Sequence, residues 1–299
     1  MGPDFLCVGM PKCGTSTLHS VLDRYSDIYV SPFKEIKYFA AKRIGYEGGA
    51  RALFFADHWA ARQERKALVR ISRRVLTGKE PARDLLWAAN FAFAKRNLDW
   101  YKNLFPAGQV SGDLSPAYHS LSRAEIDAIA AEFPDLKIVI LLRNPYHQIW
   151  SHCRMSSRGK SPADRAAFFR SQIDYQLDLR RTYKSLVDDW SKAFGRDNVL
   201  VDYLENMKID TQDVARRIIS FVDPDPASHQ QLQAFERDYR VFPGAQVNMP
   251  TDVHAMLLDA AQTRLDGFET IDPERADIWR TELADMKVKN TQDAEVRQT

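Results

Sequence analysis

The feature that most constrains this sequence is a strand, a loop and a helix at its start. The apolar run Phe5–Val8 predicts a short buried strand, and the spacing of Leu18, Val21 and Leu22 predicts a helix. A second apolar run, Ile138–Leu142, predicts a central strand over Lys137–Leu142, much later in the chain. Strands that alternate with helices favour a parallel sheet with helices on both faces.

The loop between the first strand and the first helix has the composition of an anion site. Gly9 and Gly14 have the two-glycine spacing of a P-loop, whose backbone N–H groups and helix end bind phosphate. A Walker loop has lysine directly after the second glycine, but here that position is Thr15 and the single loop lysine is Lys12. The hydroxyls of Thr15–Thr17 add donors at the helix start. The loop therefore predicts an anion site that differs from that of a kinase.

The remaining pattern completes an α/β fold of three layers, with a P-loop-type central parallel sheet flanked by helices. We expect a single domain over 1–299, with a helical insertion at about 48–104 and a polar, flexible tail at about 281–299. Asn144 and Pro145 predict the N-cap and first residue of a helix. Further strands are predicted at Ile28–Val30, Val110–Gly112 and Asn198–Tyr203, and further helices near 122–132, 163–194 and 211–222.

Charge and cysteine content exclude several classes of protein. The 42 basic and 40 acidic residues give a net charge of +2, so overall charge predicts neither a nucleic-acid partner nor an anionic membrane. No apolar run approaches the ~20 residues of a membrane span, and we expect no signal peptide. Cys7, Cys13 and Cys153 lack CxxC spacing, which favours a reduced, cytoplasmic protein. The seven histidines are dispersed, so we expect no metal site.

Two motifs resemble those of sulfotransferases that use 3′-phosphoadenosine 5′-phosphosulfate (PAPS). Pro11–Leu18 resembles the family's 5′-phosphosulfate-binding loop. Ile138–Ser151, a strand that ends in Arg-Asn-Pro with a serine eight residues after the arginine, resembles its 3′-phosphate motif. Other segments are similar to the glycosaminoglycan-type branch and its bacterial relatives, namely Lys34–Phe39, Asn97–Phe105, Gly112–Tyr118, Tyr203–Glu205 and Arg237–Pro243.

The resemblance implies PAPS as the sulfate donor and adenosine 3′,5′-bisphosphate as a product, with no metal. It implies that Lys12 stabilises the leaving bisphosphate and that Glu35 is the catalytic base, with His119 as a second candidate. Lys37 is expected to face the substrate. The implied cofactor-binding residues are Lys12, Cys13, Gly14, Thr15, Ser16, Thr17, Arg143, Ser151, Arg237 and Arg240.

The acceptor stays open among small molecules, lipids and carbohydrates with a hydroxyl or amine. Leu114 occupies a position at which the glycosaminoglycan-type branch commonly has lysine, which favours a less anionic acceptor. Trp100 and Tyr101 are expected either to line an acceptor pocket or to be plain core. The basic stretch Arg62–Lys79 is either a solvated helix face or a docking surface for an anionic acceptor.

Two other functions compete with sulfuryl transfer. A P-loop nucleotide kinase or ATPase would need a lysine after Gly14 and a strand-end aspartate for Mg²⁺, where this chain has Arg143. A module that binds a bisphosphate nucleotide without chemistry would tolerate the loss of Lys12 and Glu35. Both residues are present, which favours an enzyme.

Overall fold

The computed structural model describes residues 2–43, 59–78, 82–178, 181–223, 225 and 249–296. Its sheet is entirely parallel over these residues, with the spatial strand order β2-β3-β1-β4-β5. The strands are β1 (Phe5–Cys7), β2 (Tyr29–Val30), β3 (Ser111–Leu114), β4 (Lys137–Leu142) and β5 (Val199–Tyr203). The predicted parallel sheet is confirmed, and its strands lie within two residues of their expected bounds.

Helices connect and cover these strands. The helices before β4 are α1 (Thr15–Tyr25), α2 (Tyr38–Arg43), α3 (Trp59–Leu76), α4 (Ala82–Phe93), α5 (Leu98–Lys102) and α6 (Arg123–Glu132). Those after it are α7 (Pro145–Ser156), α8 (Pro162–Asp178), α9 (Tyr183–Phe194), α10 (Leu204–Ile209), α11 (Thr211–Val222), α12 (Thr251–Arg264) and α13 (Pro273–Val296). Short 3₁₀ segments occupy Pro116–Ser120, Arg196–Asn198 and Phe268–Thr270.

The centre of the sheet is buried on both faces because helices cover it on both sides. From Ile138 to Leu142 every residue of β4 is fully buried, as are all three residues of β1. A continuous apolar run is the pattern that a central parallel strand requires, since neither face contacts water. The main core therefore forms around β1 and β4, the strands from which the two sequence motifs extend.

Local capping explains where two helices begin. The Ser122 side chain accepts a hydrogen bond from the backbone N–H of Glu125, whose carboxylate in turn accepts from the Ser122 backbone, a capping box that starts α6. The Asn144 side chain accepts from the backbone N–H of Tyr146 at 3.0 Å, and Pro145 is the first residue of α7. The predicted cap at Asn144 is confirmed.

The prediction of a single helix over about 163–194 is wrong. Two helices, α8 and α9, cover this range, and residues 179–180 between them lie outside the described part. The Thr182 side chain accepts a hydrogen bond from the backbone N–H of Ser185 at 3.0 Å and so caps a new helix. The hydroxyl was present in the sequence, but the uninterrupted helical pattern around it concealed the cap.

The range of the expected tail, about 281–299, is helical over its described residues. Helix α13 runs from Pro273 to Val296. Trp279 and Leu283 on this helix are buried in the main core. The flexibility of the tail stays a prediction.

The predicted insertion at about 48–104 is helical where it is described. Helices α3, α4 and α5 lie within it, whereas residues 44–58 and 79–81 lie outside the described part. Its aromatic residues form a second apolar cluster with the segment after β2; the buried members are Ile36, Phe91, Trp100, Tyr101, Leu104 and Phe105.

Candidate active site

The loop after β1 runs against β4 and requires glycine at both ends. A Cβ on Gly9 would lie 2.3 Å from the carbonyl oxygen of Leu141, a backbone atom with no freedom to move away. Gly14 has a φ of +99°, and a Cβ there would lie 2.8 Å from Sδ of Met207. Left-handed backbone favours glycine because it has no Cβ to crowd the chain. The two glycines therefore allow β1 to turn tightly into α1.

Side chains from the β4–α7 junction hold this loop. Nε2 of Gln148 donates a hydrogen bond to the carbonyl of Pro11 at 2.9 Å, and Nη1 of Arg143 donates to the carbonyl of Lys12. Nε of Arg143 is buried and has no hydrogen-bond partner among the described residues. The two motifs that are far apart in the sequence are thus adjacent, and Arg143 retains a buried donor for a ligand.

The side chains at the start of α1 differ in their surroundings. The Ser16 hydroxyl contacts the ammonium group of Lys34, Thr15 is buried, and Thr17 is half-buried. The Cys13 thiol is fully buried, and burial raises its pKa well above the usual range. Cys13 can therefore contribute only its backbone to the predicted phosphate site, which narrows the role we expected.

Lys12 lies among other basic side chains. Burial lowers the pKa of Lys12, and so do the charges of four neighbours: Arg158, Arg143, Lys34 and Arg154. Within the described part of the chain, no carboxylate forms an ion pair with Lys12 or Arg143. Crowded cations without a counter-ion are unfavourable in a partly buried site. A polyanion such as a nucleotide bisphosphate would relieve that repulsion.

Helix α7 and the residues just after it supply the predicted serine and two arginines that sequence analysis did not single out. Ser151 is half-buried and lies two turns into the helix. Arg154 follows it by three positions, so the two side chains share a helix face. Arg158 lies just beyond the helix end and is exposed. The helical spacing of Ser151 and Arg154 was the signal that could have identified the first of these arginines.

Glu35 lies in the turn between β2 and α2, flanked by two lysines. Its Oε2 lies 2.9 Å from Nζ of Lys37, and its Oε1 lies 3.3 Å from Nζ of Lys34. Burial disfavours the carboxylate, but the charges of Lys37 and Lys34 outweigh burial and hold the pKa of Glu35 below its usual value. Because Lys34 also contacts Ser16, one lysine joins the predicted base to the start of α1.

Three predicted site residues share an unusual backbone conformation. Lys12, Glu35 and Lys37 have φ values of +73°, +66° and +58°, and they are the non-glycine residues with positive φ in the described part of the chain. This conformation costs roughly 1–2 kcal/mol per L-residue. Such strain concentrates at functional sites, where the surrounding structure enforces it. Local sequence patterns contain no sign of it.

His119 occupies a different environment from Glu35. Its Nδ1 lies 2.7 Å from the carbonyl oxygen of Pro116, and burial lowers its pKa to about 4. A low pKa weakens a proton acceptor at neutral pH, but the pKa of Glu35 is lowered as well, so the pKa does not rank the two candidates. His119 stays the second candidate base, behind Glu35.

Trp100 and Tyr101 are core residues, so of the two alternatives left open by the sequence the structure favours plain core over an acceptor-pocket lining. They are 4% and 0% exposed, respectively. Nε1 of Trp100 donates to the carbonyl of Asn90 at 3.2 Å, and the Tyr101 hydroxyl donates to the carboxylate of Asp113. Leu114 is also buried, in the main core. Its apolar side chain therefore does not define the character of an acceptor site.

Two predicted cofactor residues, Arg237 and Arg240, lie outside the described residues. In the part of the chain that is described, no group of three or more His, Cys, Asp or Glu side chains is arranged to hold a metal ion. None of the described helices is both long and apolar enough to cross a bilayer. The loop that contains Lys12, the turn that contains Glu35 and Lys37, and Arg143 each follow the carboxyl end of a strand, the edge at which open parallel sheets bind ligands.

Among curated proteins, the chain is similar to carbohydrate sulfotransferases. Carbohydrate sulfotransferase 15 of Rattus norvegicus is 22% identical over 271 residues, which cover 77% of this chain and 45% of that protein. The Mus musculus protein of the same name gives the same identity and coverage. The chain thus spans about half the length of the curated relatives it matches.

Solved structures share the fold. A sulfotransferase from Alicyclobacillus acidocaldarius has a TM-score of 0.59 at 21% identity, covering 94% of this chain and 99% of that one. The sulfotransferase domain of the Synechococcus PCC 7002 olefin synthase has a TM-score of 0.53 at 18% identity, covering 88% and 94%. The sequence model described as "Sulfotransferase family" matches residues 3–226, most of the chain including both motifs. This chain is therefore a member of the sulfotransferase family.

Proposed function

We propose that the protein transfers the sulfuryl group of PAPS to a hydroxyl or amine of an acceptor. One observation carries this proposal. Lys34 contacts both Ser16, in the first turn of α1, and Glu35, the predicted base. The predicted anion site and the predicted base are therefore adjacent. A transfer reaction requires this proximity, whereas a module that only binds nucleotide does not.

On the donor side, the chain provides positive charge for the leaving group. The S–O bond to the 5′-phosphate breaks, and its electron pair passes to the bridging oxygen. Lys12 and the loop amides stabilise the charge that develops there. Arg143 and Ser151 are proposed to bind the 3′-phosphate. The buried Nε of Arg143 has no hydrogen-bond partner among the residues that the structure describes. Lys12 is crowded by cations, so the incoming polyanion would stabilise its charged form.

On the acceptor side, Glu35 is proposed as the general base. The acceptor oxygen or nitrogen forms a new bond to sulfur opposite the leaving oxygen, and its proton passes to the Glu35 carboxylate. Because Lys37 and Lys34 lower the pKa of Glu35, the carboxylate is already ionised at neutral pH. The same ion pairs hold its two oxygens in place. Lys37 is proposed to orient Glu35 and to face the acceptor.

We propose a carbohydrate hydroxyl as the first acceptor class to test. The relatives of Rattus norvegicus and Mus musculus are named carbohydrate sulfotransferases. The burial of Leu114, Trp100 and Tyr101 removes the argument for an apolar acceptor pocket. The exposed basic residues of α3, among them Arg70 and Arg73, are the better docking candidates for an acidic sugar.

The test is an assay with PAPS and a panel of acceptors that contains neutral sugars, acidic oligosaccharides, lipids and phenols. Formation of adenosine 3′,5′-bisphosphate and of the sulfated acceptor is measured together, without added metal. We expect at least one acceptor to be sulfated by the wild-type protein. Glu35→Gln should bind adenosine 3′,5′-bisphosphate normally but lose turnover.

Titration calorimetry separates the competing functions. Tighter binding of ATP·Mg²⁺ than of adenosine 3′,5′-bisphosphate would favour a nucleotide kinase or ATPase. Tight bisphosphate binding without turnover on any acceptor class would favour a binding module. We expect adenosine 3′,5′-bisphosphate to bind in the micromolar range and ATP much more weakly, because Thr15 replaces the Walker lysine.

A further inference from the structure

A chain of hydrogen bonds connects the turn that carries Glu35 to the interior of the sheet. The backbone N–H of Lys37 donates to Oγ of Ser115 at 2.9 Å. The Ser115 hydroxyl in turn donates to Oδ1 of Asp113 at 2.6 Å. Asp113 is in β3 and Ser115 directly follows that strand, and both are buried. Lys37 and Ser115 are 78 positions apart in the sequence, and their hydrogen bond attaches the turn to the end of the neighbouring strand.

The other oxygen of the same carboxylate binds two tyrosines. Oδ2 of Asp113 accepts hydrogen bonds from the hydroxyls of Tyr118 at 2.6 Å and Tyr101 at 3.1 Å. Burial raises the pKa of Asp113 to about 6, although these hydroxyls and that of Ser115 oppose the rise. At neutral pH the group is therefore a carboxylate that only accepts hydrogen bonds. Ser115 must donate to it, which leaves the serine lone pairs for the Lys37 N–H.

The turn needs such support because its backbone is strained. Glu35 and Lys37 both have positive φ, a conformation that L-residues rarely adopt. A strained turn persists only when its surroundings enforce it. The ring of Tyr101 also supports the turn, because Tyr38 stacks on it at a centroid distance of 4.8 Å. The hydroxyls of the tyrosine pair bind Asp113, while the Tyr101 ring packs on the residue that follows the turn.

We propose that Asp113 and Ser115 are positioning residues that hold Glu35 in the geometry needed to accept the acceptor's proton. The inference rests on the proposed function, in which Glu35 is the base. Asp113 orients the Ser115 hydroxyl, Ser115 fixes the Lys37 backbone, and Lys37 fixes Glu35 through both the turn and the ion pair at 2.9 Å. Asp113, Ser115 and Lys37 can act in this way without contacting the donor nucleotide.

The experiment is a double-mutant cycle of Ser115→Ala and Glu35→Gln. Ser115→Ala alone should lower kcat by about 10–100-fold, the effect of misplacing a catalytic group by ~1 Å. Its Kd for adenosine 3′,5′-bisphosphate should stay within about twofold of wild type, because the donor site is untouched. In the Glu35→Gln background, Ser115→Ala should have almost no further effect on kcat, since no base remains to be positioned.

Ser111→Ala is the matched control. Ser111 lies in β3, the strand that Ser115 follows, and it is as buried as Ser115. Its hydroxyl also donates to an aspartate, Oδ2 of Asp4 at 3.1 Å. It lies at the opposite end of β3 from the turn. This variant loses the same kind of hydrogen bond and should keep its kcat. A kcat loss in Ser111→Ala equal to that in Ser115→Ala would attribute the effect to general stability and overturn the inference.

The remaining outcomes are distinguishable. An equal kcat loss from Ser115→Ala in both backgrounds, or no loss in either, overturns the positioning role while the proposed function stands. Full turnover by Glu35→Gln alone would show that Glu35 is not the base, and it would overturn this inference as well. If Ser115→Ala does not fold, Tyr118→Phe replaces it in the cycle, because it removes one donor to Asp113 and keeps the ring. It should lower kcat severalfold, and only when Glu35 is present.

Discussion

Arg143 donates a hydrogen bond to the backbone carbonyl of Lys12 at 3.4 Å, across 131 positions of sequence. The bond joins the end of β4 to the loop after β1, two strands that pair directly. It holds the guanidinium in place while Nε stays without a partner in the described part of the chain. Arg143 is thus positioned by the protein before any nucleotide binds.

Arg143→Ala should reduce affinity for a nucleotide with a 3′-phosphate and spare one without it. We expect a loss of about 2–4 kcal/mol for adenosine 3′,5′-bisphosphate, the value of a charge-assisted contact, and little change for adenosine 5′-phosphate. Titration calorimetry with both nucleotides measures the difference. Arg123→Ala, which breaks an exposed pair with Asp127, is the control. Equal losses for both nucleotides would contradict the assignment.

At Lys12, activity and stability should respond differently to glycine and alanine. Both Lys12→Ala and Lys12→Gly remove the ammonium group, so turnover should fall about a hundredfold or more in each. Only glycine relieves the positive φ of +73°. Urea unfolding should therefore show Lys12→Gly to be more stable than Lys12→Ala by about 0.5–1 kcal/mol. Equal unfolding free energies would show that the backbone at Lys12 is not strained.

Lys37→Met should move the acid limb of the pH–rate profile to higher pH. Lys37 is the nearer of the two ammonium groups that lower the pKa of Glu35, and burial acts in the opposite direction. Without Lys37, the pKa of Glu35 rises, so the base is protonated at a higher pH. The profile of kcat/KM reports this shift. Lys102→Met, which removes a surface pair with Glu132, should leave the limb in place.

The buried carboxylate of Asp113 should make stability depend on pH between about 4 and 6. Burial raises its pKa from the usual 3.8 to about 6, so the folded state binds a proton that the unfolded state releases. This contribution, up to about 3 kcal/mol, is complete below pH ~4 and is lost as pH rises through ~6. The Asp113→Asn variant lacks this pH-dependent contribution to stability.

Denaturant unfolding across that pH range measures the effect. The wild type should lose its advantage over Asp113→Asn as pH rises from about 4 to 7. The titratable groups that face Asp113 are Tyr101, Tyr118, Cys7 and Glu35. Burial raises the pKa of both tyrosines and of the Cys7 thiol, whereas the neighbouring lysines hold the pKa of Glu35 below its usual value. Glu35 is the other carboxylate in this set, so Glu35→Gln is the control. A free-energy difference that is constant with pH would show that Asp113 does not titrate there.

Helix α13 should stabilise the segment that resembles the 3′-phosphate motif, although the two are far apart in the sequence. Nδ2 of Asn144 donates to Oε2 of Glu282 at 2.6 Å, and the Asn144 backbone N–H donates to Oε1 of Glu205 at 3.2 Å. Glu282→Ala leaves the Asn144 amide without this acceptor and should cost about 1–2 kcal/mol in unfolding free energy. Glu269→Ala, which breaks an exposed pair with Arg280, should cost less than about 1 kcal/mol.

Local sequence patterns were sufficient for much of the fold and for naming the candidate site residues. The bounds of β4 and α11 agree with the predicted ones because apolar periodicity reflects burial directly. The cap at Asn144 is a short-range hydrogen bond that its own side chain makes. Lys12, Glu35 and Arg143 were named from motifs whose spacing is likewise local. The sequence pattern failed at Thr182, whose hydroxyl caps the start of a second helix within a range that has a continuous helical pattern.

The tertiary structure decided which of these side chains meet and in what environment. Burial of Trp100 and the pairing of Lys34 with both Ser16 and Glu35 depend on contacts between elements far apart in the chain. The same holds for Asp113, an ordinary acidic residue in the sequence. Burial raises its pKa, and its proposed positioning role depends on hydrogen bonds with Ser115 and two tyrosines. Hydrogen bonding, desolvation and charge act through space, so only the folded arrangement determines them.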